Sequence, residues 1–228
     1  MEQMKHMAVA LDGPSAAGKS TLARAAAQRF GFLYVDTGAI YRSVGLAAHR
    51  AGIDPKDPAA VTELLPTLQI DMAYDADGVQ RMLLAGEDVS VAIRRPEISR
   101  YASDVSAHPE VRAFLMEMQR DLARRHSVVM DGRDIGTVVL PDAELKVFLT
   151  ASAAARARRR WLELREKGVE TDLEEVQRDI EYRDRQDSQR AAAPLRPAED
   201  AVFLDTSELS LSESVEALCT LIREAMEA

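Results

Sequence analysis

The stretch Met7-Ala8-Val9-Ala10-Leu11-Asp12-Gly13-Pro14-Ser15-Ala16-Ala17-Gly18-Lys19-Ser20 decides the reading of this chain. A short apolar run leads into the pattern G-x-x-x-x-G-K-[ST], matched at every fixed position by Gly13, Gly18, Lys19 and Ser20, and a helical pattern follows. The glycines let the backbone around Pro14, Ser15, Ala16 and Ala17 curl so that N–H groups point into one concavity. The helix starting near Gly18 adds the positive end of its dipole. Such a nest fits a polyphosphate. Lys19 can reach the outer phosphates. Ser20, followed by Thr21, places a hydroxyl where the Mg²⁺ of a nucleoside triphosphate needs a ligand.

Outward from this loop, five short apolar runs at 7–11, 32–35, 128–130, 145–149 and 201–204 alternate with helical patterns. The helical stretches lie at about 19–29, 39–51, 96–107, 109–125, 152–167, 172–186 and 211–226. This order predicts an α/β fold, a five-stranded parallel sheet flanked by helices with right-handed crossovers. Ligands of such sheets sit beyond the carboxyl ends of the strands. Four clusters fall there: the phosphate loop, Asp36-Thr37-Gly38, Asp131-Gly132-Arg133-Asp134, and Ala151-Ser152 with the arginines that follow. One cleft collecting all four is the expectation. The segment from about 66 to 93 breaks the alternation, and three short runs at 68–72, 79–84 and 87–89 around the turn Asp75-Ala76-Asp77-Gly78 predict a small antiparallel β insert. A loose surface excursion is the other reading of that segment.

The chain has 228 residues, 46% of them hydrophobic, enough to bury one full core. A formal net charge of -9 argues against general nucleic-acid binding, so any basic site is local. Cys219 is the single cysteine, lies in the apolar pattern of the last helix and reads as packing. The first residues lack the apolar stretch of a signal peptide and no run reaches membrane-spanning length, which makes the cytoplasm, with no membrane partner, the expected location. A monomer is the default. His6, His49, His108 and His126 show no metal-ligand spacing, and Trp161 reads either as packing or as a base-stacking ring.

Arginine is concentrated where the fold places the cleft. Arg156, Arg158, Arg159 and Arg160 open one helix, and Arg178, Arg183, Arg185 and Arg190 surround the next. Arg183, Asp187 and Arg190 follow at steps of four and three, which share a helix face. The spacing suits guanidinium forks presented to phosphate oxygens with a carboxylate held between them. A solvated helix laced with ion pairs is the bland alternative. Asp36 is the leading carboxylate for orienting metal-bound waters, or else the cap of the following helix.

Taken together, the phosphate loop, Asp36-Thr37-Gly38-Ala39-Ile40-Tyr41-Arg42, Asp131-Gly132-Arg133-Asp134-Ile135-Gly136-Thr137, the Arg156–Arg160 cluster and the stretch from Arg183 to Pro194-Leu195 resemble the bacterial cytidylate kinases over nearly the whole chain. The resemblance implies a core of about 1–38, 108–152 and 191–228, a monophosphate-binding lobe with the β insert over about 39–107, and a helical lid over about 153–190. It implies transfer of the terminal phosphoryl group of ATP, with Mg²⁺, to CMP or dCMP.

By the same resemblance Thr37, Tyr41 and Arg42 hold the acceptor monophosphate, with Arg42 on its phosphate, and Ser103, Arg112 and Asp134 read the cytosine edge. Arg133 and Arg190 surround the phosphates as catalytic groups with Lys19. Arg183 and Asp187 sit near the acceptor ribose and phosphate, and Arg156 and Arg160 belong to the lid over the donor. Ala16 departs from the family loop, which usually carries Gly there. Other nucleoside monophosphate kinases, acting on UMP or AMP, share this outline. A GTP-hydrolysing switch would carry [NT]-K-x-D, and none of the five lysines stands two residues before an Asp. A nucleotide sensor without turnover is the non-enzymatic alternative, against which Lys19, Ser20 and the arginines speak.

Overall fold

The computed structural model describes residues 6–76, 78–166 and 168–228. β1 (Ala8–Asp12) runs into the phosphate loop and α1 (Lys19–Phe30). β2 (Leu33–Asp36) passes straight into α2 (Thr37–Arg50), two residues ahead of the predicted start, because the Asp36 side chain accepts from the Ala39 N–H and caps the helix there. A short α3 (Pro58–Leu64), capped by Asp57, was not predicted. It has seven residues and one fully buried side chain, Val61, too little for a periodic signal.

The insert follows as β3 (Ile70–Tyr74), β4 (Gln80–Leu84) and β5 (Glu87–Asp88), three antiparallel strands in that order. Its predicted runs were displaced by one or two residues, since Ile70, Gln80, Met82 and Leu84 are the inward positions and their alternation includes a polar member. Next come α4 (Pro96–Val105) and α5 (Pro109–Arg125), both with proline at the first helical turn. β6 (Val128–Gly132) leads to a single π-helical turn over Ile135–Val139, also unpredicted. Then come β7 (Leu145–Thr150), α6 (Ala153–Glu166), α7 (Leu173–Gln189), β8 (Val202–Asp205) and α8 (Leu211–Glu227).

The main sheet is parallel throughout, in the order β2-β6-β1-β7-β8, the five strands the sequence predicts. Successive residues feed opposite layers, as a strand's period of two requires. Ala10, Val35, Val128 and Met130 pack with Ile40, Val44, Ile98 and Leu115 of α2, α4 and α5. Val9, Leu11, Val129, Val147 and Leu149 pack with Leu22, Leu218, Cys219 and Ile222 of α1 and α8. Each large side chain so buried contributes roughly 1.5–3 kcal/mol of transfer free energy. α2 and α4 meet backbone to backbone at Gly45, where a Cβ would lie 2.8 Å from the Ala102 nitrogen. Among the described residues no helix is long and apolar enough to cross a membrane.

Candidate active site

The carboxyl ends of β1, β2 and β6 open into one cleft of about 1820 Å³ that also takes in α4 and the α6–α7 pair. Pockets for one small molecule run to about 300–1,000 Å³, so this cleft has room for two. Three of the four strand-end clusters line it, as does Arg160.

The phosphate loop is built by backbone geometry. Gly13 has φ 152, and a Cβ there would stand 2.0 Å from the Leu149 carbonyl oxygen, so the loop leaves β1 pressed against β7. Ala16 has φ 59, in the left-handed region that glycine enters freely and alanine only at about 1–2 kcal/mol. Ala16 therefore holds, at the cost of some strain, a backbone conformation that suits glycine. Lys19 is buried, and its Nζ donates to the carbonyls of Gly13 and Pro14 at 2.8 Å each. Burial, then the neighbouring Arg133, pushes its ammonium well below the usual lysine range, against the pull of Asp131 and Asp187.

Ser20 Oγ donates to Asp131 Oδ2 at 2.8 Å. Burial and the nearby Asp36 push the Asp131 carboxyl up, opposed by Lys19. Asp36 itself is engaged elsewhere: Oδ1 accepts from the Ala39 N–H at 2.8 Å and Oδ2 from Arg42 Nη2 at 2.9 Å. Burial works against its charge, but Arg42 and the cap hold its pKa below the ordinary value. Asp36 thus acts as a helix cap, and the carboxylate beside the loop hydroxyl is Asp131. Sequence reading quoted Asp131 within a motif without assigning it a task; its position at a strand end beside the loop strand was the available signal. A hydroxyl with one or two carboxylates is a hard-oxygen set that fits Mg²⁺, an ion that takes few protein ligands and completes its shell with phosphate and water. Among the described residues no group of three or more His, Cys, Asp or Glu forms a metal cage by itself.

Across the cleft, Thr37 Oγ1 donates to the Asp131 carbonyl at 2.7 Å. The Arg112 guanidinium lies over the Tyr41 ring, 5.5 Å from its centroid. Arg112 also pairs with Asp134, both side chains buried, and Arg190 Nη2 donates to the other Asp134 oxygen at 3.2 Å. Ser103 of α4 lines the same wall. The Tyr41 hydroxyl and Arg42 Nε are buried with no hydrogen-bond partner among the described residues. Behind this wall Asp12 accepts from the N–H groups of Ile135 and Gly136 at 2.8 Å each, fixing the start of the π-turn that directly follows Arg133 and Asp134. Burial pushes the Asp12 carboxyl up to about 6, although both backbone bonds favour its charge.

The α6–α7 pair closes the third side. Arg133 Nε donates to Asp187 Oδ2 at 2.7 Å and its Nη2 to Ser15 Oγ at 3.0 Å. Burial opposes the Asp187 charge, yet Arg133 and Arg190 hold its pKa down. Arg183 lines the cleft, and burial lowers its pKa, opposed by Asp179. Arg160 also faces it, paired with Glu163 at 2.8 Å. Arg156 is placed differently from Arg160. It is buried, and its Nη1 donates to the Ser15 carbonyl at 2.9 Å and to Asp184 Oδ2 at 2.6 Å. Asp184 Oδ1 in turn accepts from the Ser15 N–H at 3.1 Å. Asp184 was missed because its partners are remote in sequence. Trp161 packs with the small cluster of Ala157, Val176 and Ile180 and donates to the Thr171 carbonyl at 3.0 Å, the packing alternative of its two readings.

The family model for cytidylate kinase matches residues 9–224. A cytidylate kinase from Desulfitobacterium hafniense (strain Y51) is 49% identical over 223 residues, covering 98% of this chain and 95% of its own. One from Lactobacillus gasseri is 47% identical over 218 residues, covering 96% and 94%. Among solved structures, an uncharacterized protein from Eubacterium ventriosum ATCC 27560 superposes at a TM-score of 0.50 with 10% identity over 98% of this chain and 99% of that one, a likeness of fold alone. Sequence identity of this extent along almost the full length leaves one assignment: the chain is a kinase and belongs to the cytidylate kinase family.

Proposed function

We propose that the protein transfers the terminal phosphoryl group of ATP to the 5′-phosphate of CMP or dCMP, giving ADP and the nucleoside diphosphate. The observation that carries this reading is the pairing, across one cleft, of a polyphosphate nest holding Lys19 with a buried carboxylate, Asp134, clamped between Arg112 and Arg190. Residues of about 39–107 form the monophosphate-binding lobe in this reading, about 153–190 the lid, and the remainder the core.

On the donor side, residues Gly13 to Thr21 cradle the phosphates, and Ser20 with Asp131 would hold Mg²⁺. Bound there, Mg²⁺ neutralises charge on the outer phosphates. Lys19 shifts from the carbonyls of Gly13 and Pro14 to phosphate oxygens, whose negative charge restores its ordinary basicity. Arg133 and Arg190 stand between the two halves and stabilise charge on the transferred group, while Arg160 covers the donor. Arg156, fastened to Ser15 and Asp184, holds the lid against the loop. No general base is needed, because the acceptor phosphate has a second pKa of about 6 and attacks as a dianion. Alignment and charge stabilisation then carry the rate.

On the acceptor side, the unpartnered Arg42 Nε and Tyr41 hydroxyl suit a bound phosphate and its surroundings. Arg183 and Asp187 lie toward the ribose. Cytosine presents an exocyclic amine to Asp134 and Ser103 and acceptors to Arg112. Uracil would set its O4 against the Asp134 carboxylate, acceptor facing acceptor, which a buried site rejects strongly. The test is steady-state diphosphate formation from Mg²⁺-ATP with CMP, dCMP, UMP, AMP, GMP and dTMP in parallel. CMP and dCMP are expected to lead in kcat/KM by orders of magnitude. A lead by UMP or AMP overturns the base reading and leaves the phosphate chemistry, and no turnover with any acceptor leaves a nucleotide sensor.

A further inference from the structure

β2 is the edge strand of the main sheet: β6 pairs with one side, and the Leu33 N–H points that way, bonding the Ser127 carbonyl at 2.8 Å. The backbone groups of Tyr34 and Asp36 face the other side, where no strand among the described residues pairs with them. Two side chains of the β insert satisfy them. The Tyr74 hydroxyl donates to the Tyr34 carbonyl at 2.9 Å. The Gln80 amide grips Asp36 at both backbone atoms, Oε1 accepting from its N–H at 2.8 Å and Nε2 donating to its carbonyl at 3.3 Å. Because a backbone N–H can only donate, this contact fixes which way the Gln80 amide points. Tyr74 and Gln80 are register partners across β3 and β4, so they reach the edge as one unit. Gln80 is 8% exposed and Asp36 6%, so water does not compete for these groups.

The residue so gripped is the N-cap of α2. Its side chain orders Ala39 and Arg42, and Thr37 and Tyr41 lie within the next turn and a half. We infer that Gln80, aided by Tyr74, is a positioning residue of the acceptor half of the site: through its two bonds to the Asp36 backbone, the β insert sets where α2 begins and hence where Arg42 and Tyr41 stand. The insert is then an edge cover for β2 that imitates the hydrogen bonding of a sixth strand at two residues. The consequence for the acceptor rests on the proposed function; the clamp itself does not.

The test uses Gln80→Leu, which keeps the volume and removes both bonds, Tyr74→Phe, and Leu84→Ala as a control that weakens the insert's buried side without touching the clamp. Amide exchange at Asp36, read by NMR, is expected to accelerate at least about tenfold in Gln80→Leu, because the acceptor that holds this N–H is gone. Exchange is expected to stay near wild type in Leu84→Ala once corrected for global stability. The KM for CMP is expected to rise about tenfold or more in Gln80→Leu, several-fold in Tyr74→Phe, with the KM for ATP within about twofold. If the acceptor panel shows another monophosphate as the favoured acceptor, that one replaces CMP, so a wrong acceptor and a wrong clamp give different results. Unchanged Asp36 exchange in Gln80→Leu, or KM values for acceptor and donor rising together in that variant, overturns the inference.

Discussion

The Ser20 hydroxyl donates to Asp131 at 2.8 Å, joining the start of α1 to the end of β6. The bond brings a hydroxyl and a carboxylate together beside the phosphate nest, the pair proposed to hold Mg²⁺. Replacing Asp131 with Asn keeps the shape and an acceptor for Ser20 while removing the charge. The expected result is an apparent Mg²⁺ requirement raised by about 10–100-fold with kcat lowered at saturating Mg²⁺. A Mg²⁺ titration of the steady-state rate checks it, and an unchanged midpoint would remove Asp131 from metal binding.

Lys19 is a buried cation whose present partners are two backbone carbonyls. In Lys19→Met, kcat is expected to fall about 10²–10³-fold, the scale for losing one group that stabilises transition-state charge. Thermal stability is expected to hold or to rise, because the variant no longer buries a charge. Wild-type kcat in a folded variant would sink the catalytic role of Lys19.

Asp12 gives a pH signature in stability. Its carboxyl titrates at about 6 in the folded chain and near 3.8 when unfolded, so the folded state holds the proton more tightly. Its contribution is therefore most favourable below about pH 4 and is lost as pH rises through about 6, after which it is flat. The full difference is about 3 kcal/mol. Urea unfolding of wild type and Asp12→Asn at steps between pH 4 and 7 is expected to show the wild type losing stability relative to the variant across that window. Parallel curves would contradict the burial effect.

Gly13 and Gly18 are expected to differ sharply when changed to alanine. At Gly13 a Cβ meets the Leu149 carbonyl at 2.0 Å, backbone against backbone, whereas at Gly18 the nearest atom is the Leu22 Cδ1 at 3.7 Å. Gly13→Ala is expected to cost more than about 4 kcal/mol and to reduce soluble yield. Gly18→Ala carries only the cost of φ 93, about 1–2 kcal/mol. Melting temperatures of the two variants decide it.

What could be read from the sequence was what is local in it. The phosphate nest is eight consecutive residues, and the five core strands announce themselves as short apolar runs, although β8, the last of them, leaves Val202 and Phe203 exposed at the sheet edge. Asp131, Asp184 and Gln80 escaped for the opposite reason: their tasks are defined by partners 111, 169 and 44 residues away. Asp36 showed the limit from the other side. Its residue type and place suited a metal-bound water and a helix cap equally, and the Ala39 and Arg42 contacts show the cap. The π-turn after Asp134 is set by Asp12, a bond between segments that no periodic pattern reports.

Five cations at the centre of the cleft already have an anionic or carbonyl neighbour: Arg42 has Asp36, Arg112 and Arg190 share Asp134, Arg133 has Asp187, and Lys19 has two carbonyls. These acids and carbonyls keep the cations aimed: Asp36 and Asp187 each hold one of these guanidinium groups, and Asp134 holds two. In the proposed reaction a nucleotide would meet guanidinium groups already aimed, so little side-chain freedom would be lost on binding. Side chains held in place beforehand lower the ordering cost that each bound phosphate has to offset.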